Sequence, residues 1–428
     1  DQVSVTSPIT KKSIRPSSPN QVLPSLVSCI NTALSGTPGP VHLALAFDVL
    51  DSTEILVSIS PPASLDNTIS MSKNDLAKVV DALATAKSPL IITGPQANSS
   101  RQPAASKALN DAISMPLICL ESARGLSDSF YGDLGTALEA ADLIIHLGKV
   151  ADYSTGVHAK GKITPGTPII SILTDDQPAP KLNIENEKNI DLTVFRTGNI
   201  PATMIQIAGA IVENDAAKSS PEWNQKLTAA ISCRLDWQAN KGRHPASLSM
   251  DLQKAVVKTE NAILIADGGE FCQWVQAGCV APRRMINGPS GAIGGGIAYA
   301  IGASIACPDA TIFLVMGDGT AGFYFAEINT AVRAKCNIVG IIGNDFRWNA
   351  EVQIQIDNYG PDRVYGCDLD ASANYATAAR GLGAYGATVA EEDDFNVALN
   401  AAIAHPGPAI LNVLIDSQAS PKFMPMKL

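Results

Sequence analysis

Apolar residues in this chain gather in short unbroken runs separated by stretches of helical spacing. Leu90-Ile91-Ile92, Leu117-Ile118-Cys119-Leu120, Leu143-Ile144-Ile145, Ile169-Ile170-Ser171-Ile172-Leu173 and Leu192-Thr193-Val194-Phe195 form one series. Residues 311–316, 337–342 and 409–415 form a second. Continuous β-rich runs between helical stretches predict parallel sheets covered on both faces. The fold class that follows is α/β, with two doubly wound parallel-sheet domains. Before the first series, 51–72 is rich in Ser, Pro, Asp and Asn and predicts a linker; between the two series, 215–245 predicts a connector, helical around 223–237. The apolar stretch 297–307 is short and follows a glycine turn, so a buried helix is expected there rather than a membrane span.

The polar residues at the ends of two of these runs carry the candidate chemistry. Gly317-Asp318-Gly319 follows the run 311–316, and Asn344-Asp345 follows 337–342. In a parallel sheet the carboxyl ends of successive strands lie side by side, so Asp318 and Asp345 are expected to converge. Two hard oxygen ligands beside a glycine turn make a place for Mg²⁺ carrying a diphosphate. Upstream, Gly-Pro-Ser-Gly-Ala-Ile-Gly-Gly-Gly at 288–296 is a glycine-rich turn before a helix.

With 428 residues, length alone predicts about three domains. A net charge of −10 argues against nucleic acid or an anionic membrane as partner. It also requires local devices, a cation and helix N-termini, to hold an anionic cofactor. The eight Cys are scattered without a Cys-x-x-Cys, which suggests neither a zinc site nor a disulfide framework. Cys119, Cys279, Cys307 and Cys336 are expected as buried free thiols, in a reducing, cytoplasmic setting. His42 and His146 fall in strand runs and are expected as satisfied core groups. No basic stretch leads into an apolar run at the N-terminus, so no signal peptide is visible.

The ordered set of glycine turn, Gly-Asp-Gly after a strand, and Asn-Asp after the next resembles the signature of thiamine-diphosphate enzymes of the acetolactate synthase, pyruvate decarboxylase and benzaldehyde lyase type. The resemblance implies that Asp318 and Asp345 are Mg²⁺ ligands, with the backbone carbonyl of Arg347 a third. Asp345 stands where the family has Asn. Gly317, Gly319 and Thr320 would face the diphosphate at the start of a helix from Ala321. Gly291, Ala292 and Ile293 resemble the turn that holds the cofactor bent, with Ile293 beneath it. Gly269, Glu270 and Phe271 resemble the diphosphate-side loop, although Glu270 and Phe271 replace the usual Gln and His. Asp345, Trp348, Asn349 and Ala350 belong to a stretch opening a helix over the cofactor. Glu351 matches a catalytic proton-relay Glu of pyruvate-decarboxylase-type members, and Ile354 stands where acetolactate synthase has a pocket Trp.

By that resemblance, 1–50 is the remnant of a pyrimidine-binding domain, the tail of a third, and 51–72 its linker. Residues 73–214 are a middle domain, 215–245 a connector and 246–428 the diphosphate- and Mg-binding domain. The activating Glu of the family lies upstream of Gly39-Pro40-Val41-His42, and no Glu here takes that place by motif. A truncated chain, or one whose partner brings the other half of the site, is therefore expected, as is a homodimer or homotetramer. The implied activity is a decarboxylase or carboligase/lyase acting on a 2-oxo acid or 2-hydroxy ketone through an enamine on thiazolium C2. Alternatives from other classes are a non-catalytic cofactor-binding or assembly subunit and a Rossmann dinucleotide site at 291–296. For Glu351 the alternative is a solvated helix carboxylate; for Trp348, core packing.

Overall fold

The computed structural model describes residues 1–53, 70–156, 163–180, 191–214, 219–234, 243–288, 290–390 and 394–421. The expected linker at 51–72 falls largely, and the connector at 215–245 partly, outside these residues. The described chain divides into two compact units, 1–120 with 138–225, and 121–137 with 226–428.

In the first unit, β1 (Lys12–Ile14) pairs in parallel with β2 (Val41–Leu43). The other five strands are β3 (Pro89–Thr93), β4 (Ile118–Cys119), β5 (Leu143–Leu147), β6 (Pro168–Thr174) and β7 (Asp191–Thr197). They form one parallel sheet in the order β4-β3-β5-β6-β7. All five runs of the first series are therefore strands. His146 on β5 is fully enclosed, with Nδ1 3.4 Å from the Ser171 hydroxyl on β6. Its Nε2 has no partner among the described residues, so the expected satisfied histidine is only half satisfied. Burial, with the Lys149 charge nearby, pushes its pKa down to about 4. His42, by contrast, is half-buried and meets the hydroxyls of Thr6 and Ser13.

The second unit holds six parallel strands. They are β8 (Ile263–Ala266), β9 (Arg283–Ile286), β10 (Ile312–Gly317), β11 (Ile338–Asn344), β12 (Tyr385–Val389) and β13 (Ala409–Leu414). Their order is β12-β13-β11-β10-β8-β9. Each central strand splits its residues between two cores. Phe313 and Val315 pack on one face with the helices Pro245–Lys258 and Glu270–Gly278. Ile312, Leu314 and Met316 pack on the other with the helix Gly296–Ala306. A period of two in a run apolar at every position is what a sheet covered on both sides demands. The α/β, parallel-sheet fold class is thus observed.

The segment 121–137 is fastened into this unit at several points. The Arg284 guanidinium lies 3.5 Å from the centre of the Phe130 ring and 3.9 Å from the Asp128 carboxylate. The amide of Asp133 donates to Ala230 at 3.0 Å. All eight cysteines are free; Cys279 and Cys336 are buried as expected, whereas Cys119 and Cys307 are only half-buried. Among the described residues no helix is long and apolar enough to cross a membrane.

Candidate functional site

Strand order places the site. The chain leaves β8 for β9 on one side and returns to β10 on the other, so the sheet has a switch point between β8 and β10. Crevices form at the carboxyl ends of strands at such points. Here the loop Asp267-Gly268-Gly269 after β8 meets Gly317 at the end of β10. Gly269 has φ +104°, and a Cβ on it would lie 3.1 Å from the Cα of Gly317. Only glycine holds that conformation cheaply. A cavity of about 220 Å³ opens there, built entirely from the second unit.

Register brings the two acids together. Gly317 on β10 pairs with Gly343 on β11, and Asp318 and Asp345 lie one and two residues beyond. Asp318 is 3% exposed. Burial, followed by the charge of Asp345, pushes its pKa up to about 7. Asp345 is also raised by burial, although the Ser417 hydroxyl donates to its Oδ2 at 2.9 Å. One Asp318 oxygen accepts the Gly319 amide at 2.8 Å and the other the Arg347 amide at 3.2 Å. Among the described residues neither carboxylate has an ion-pair partner, since Arg347 pairs with Asp368 at 2.9 Å.

The expected helix from Ala321 begins earlier. It is a single turn, Asp318–Ala321, with Gly317 as N-cap, so Asp318 itself is the first helical residue. Its main-chain carbonyl accepts the Tyr375 hydroxyl at 2.6 Å. After β11 the chain turns through Phe346, φ +57°, and enters the helix Asn349–Tyr359 at its N-cap Trp348. Trp348 packs over Gly319, where a Cβ would lie 2.6 Å from the indole. Trp348, Asn349, Ala350 and Glu351 all line the cavity, Glu351 with its side chain exposed.

The glycine turn is pinned by one buried acid. Asp267 accepts amides from Gly268 at 2.8 Å, Gly294 at 3.1 Å and Gly296 at 2.6 Å. Burial still holds its pKa above the usual carboxylate range. So anchored, the turn places Ile293 against Gly268, where any Cβ would collide with it. Gly291 and Ile293 line the cavity, whereas Ala292 is exposed and lies off its wall. Gly269, Glu270 and Phe271 line it too, and the Phe271 ring fills the space left by Gly343.

Sequence reasoning missed several parts of the wall. Ser122, Ala123 and Arg124 reach it from the distant 121–137 segment, and Ile415, Asp416 and Gln418 from the chain after β13. Six carboxylates and two guanidiniums line the cavity. Asp267 is satisfied by backbone amides, Asp416 lies 3.6 Å from Arg243, and Glu270 pairs with Arg124 at 2.7 Å. Beside the exposed Glu351, the buried Asp318 and the half-buried Asp345 remain as two acids that repel each other. A divalent cation fits that donor set, because it removes the repulsion and both carboxylates present hard oxygen. Among the described residues no cluster of three or more His, Cys, Asp or Glu side chains could hold a metal ion, in this cavity or elsewhere.

This arrangement resembles the cofactor site of thiamine-diphosphate-dependent enzymes of the lyase and transferase class. Residues 267–413 match the family described as thiamine pyrophosphate enzyme, C-terminal TPP binding domain. The match takes the place of the dinucleotide alternative at 291–296. Most of the chain is similar to 2-hydroxyacyl-CoA lyase 2 of Homo sapiens, 25% identical over 93% of this chain and 69% of that protein. The same protein of Caenorhabditis elegans is 26% identical over 97% of this chain and 72% of its own length. A probable acetolactate synthase of Mycobacterium bovis is 26% identical over 80% of this chain and 62% of its own.

Proposed function

We propose that this chain holds Mg²⁺ and thiamine diphosphate in the cavity at the β8/β10 switch point and acts as a decarboxylase or carboligase/lyase. The observation that carries the reading is the Asp318–Asp345 pair, a buried and a half-buried acid with raised proton affinity at the ends of adjacent strands. Mg²⁺ would be held by these two carboxylates and the Arg347 carbonyl. The diphosphate would lie against the amides of Gly269, Gly319 and Thr320, where two helices begin. Ile293 would support the cofactor from below. When bound, thiamine diphosphate supplies the carbon nucleophile and electron sink for bond cleavage beside a carbonyl.

The chain's own residues orient and shield. Trp348 and Phe271 exclude water from the diphosphate end, and Asp267 keeps the glycine turn in place. Glu351, at the cavity wall in the first turn of its helix, would move a proton to or from the substrate. The names of the relatives bring two substrate classes to this chain, 2-hydroxyacyl thioesters and the 2-oxo acids that yield acetolactate. A second copy of the protein would face this half of the site. Phe323 and Tyr324, each more than half exposed next to the glycine turn and Trp348, support such an apposition.

The test is quenching of Trp274 and Trp348 emission by thiamine diphosphate with and without Mg²⁺, followed by turnover of pyruvate and of a 2-hydroxyacyl thioester. Metal-dependent quenching supports the site, and its absence refutes it. Full turnover by Glu351→Gln would remove the relay role.

A further inference from the structure

An acid at the first position of a helix that must receive an anion is an electrostatic contradiction, and this cavity contains one. Glu270 opens the helix Glu270–Gly278, which no side chain caps, and it follows Gly269 in the cavity wall. Its carboxylate is 5% exposed. An ionised carboxylate there would take up the positive end of the helix dipole and repel a diphosphate. Both of its oxygens are instead drawn aside. Arg124 Nη2 donates to Oε1 at 2.7 Å, and the Ser420 hydroxyl donates to Oε2. Arg124 Nη1 in turn donates to Ser420 Oγ at 3.2 Å, closing a three-membered ring of contacts. Arg124 is 37% exposed and lines the cavity itself.

We propose that Arg124 is the charge-setting residue of the diphosphate pocket. It cancels Glu270 and turns that carboxylate away, so the amides at the helix start are left for the cofactor's phosphates. This rests on the cofactor reading above and adds a role for a residue some 146 positions from its partner. The pair contributes no net charge, so its effect is separable from that of Mg²⁺ at Asp318 and Asp345.

The experiment measures the affinity of the full chain for Mg²⁺-thiamine diphosphate, and for inorganic pyrophosphate with Mg²⁺, by tryptophan quenching and calorimetry. Arg124→Gln leaves Glu270 uncompensated, and binding of both probes should weaken by about tenfold or more. Glu270→Gln should bind as tightly as the wild type or tighter. The double variant Arg124→Gln/Glu270→Gln should return to within about threefold of the wild type. It also keeps the test open if Arg124→Gln alone does not fold. Unchanged affinity in Arg124→Gln would overturn the proposal. So would a double variant as weak as the single one, which would make Arg124 a direct ligand rather than a charge partner. A wild-type chain that binds neither probe would instead sink the cofactor reading and this inference together.

Discussion

Tyr375 donates its phenolic hydroxyl to the main-chain carbonyl of Asp318 at 2.6 Å, across 57 positions of sequence. Burial, with the Asp318 charge, pushes the phenol's pKa above its ordinary value, so it remains a donor. The contact fixes the turn that aims the acid. Tyr375→Phe should cost about 1 kcal/mol of stability. It should also weaken Mg²⁺ binding several-fold, read by calorimetry beside a thermal melt. Unchanged metal affinity would make Tyr375 a packing residue only.

Asp318→Asn should move stability and metal affinity in opposite directions. It removes a buried charge that Asp345 repels, so the metal-free protein should gain about 1–2 kcal/mol. Mg²⁺-dependent binding of thiamine diphosphate should fall on the order of 100-fold with loss of a charged oxygen ligand. Melting curves with and without Mg²⁺ test both halves, and a variant that still gains stability from Mg²⁺ would contradict the assignment.

Gly319→Ala places a methyl group 2.6 Å from the Trp348 ring. Helix propensity alone favours Ala by about 1 kcal/mol. The clash costs roughly 1–3 kcal/mol and should win. Trp348 is held edge-on to Phe323 at 6.1 Å between ring centres, so its emission should shift along with the loss of stability. A variant more stable than the wild type would show that the indole moves freely.

His146 gives the first unit an acid-sensitive point. Its folded pKa, about 4, lies below the unfolded 6.5, so the unfolded chain binds more protons between those values. Stability therefore falls as pH drops from 6.5 towards 4, by about 3 kcal/mol in full. His146→Gln should flatten that part of the profile in urea melts between pH 4.5 and 7.5, and an unchanged slope would place the sensitivity elsewhere.

In the second unit β10, β11 and β13 were legible because a sheet buried on both faces needs apolar residues at every position. Its edge strands were not, and neither was β8, although it is buried at every position. β9 reads Arg-Arg-Met-Ile with only Ile286 buried, and β12 buries only Val389. Convergence of Asp318 and Asp345 follows from strand adjacency alone, so spacing revealed it. Arg124 carries no such signal. An acid at 270 beside an anion site implies a cation somewhere, but nothing in the intervening sequence says which. Tyr375 and Ser420 act through single contacts set by tertiary packing, and the triple hold of Asp267 depends on the path of a glycine turn. The early start of the helix at Asp318 reflects Gly317 taking the cap, which the Gly-Asp-Gly triplet alone leaves open.

Residues 121–137 count with 226–428 although the chain on either side of them belongs to the other unit. The second unit is thus not a contiguous cassette. A fragment cut at residue 226 would carry every motif of the proposed cofactor site yet lose Arg124, leaving Glu270 without its guanidinium partner at the start of its helix. It would also lose Phe130, uncovering one face of the Arg284 guanidinium that lies over its ring. Recombination with a relative at that boundary would pair one parent's acid with the other's wall, so residues 124 and 270 must be inherited together.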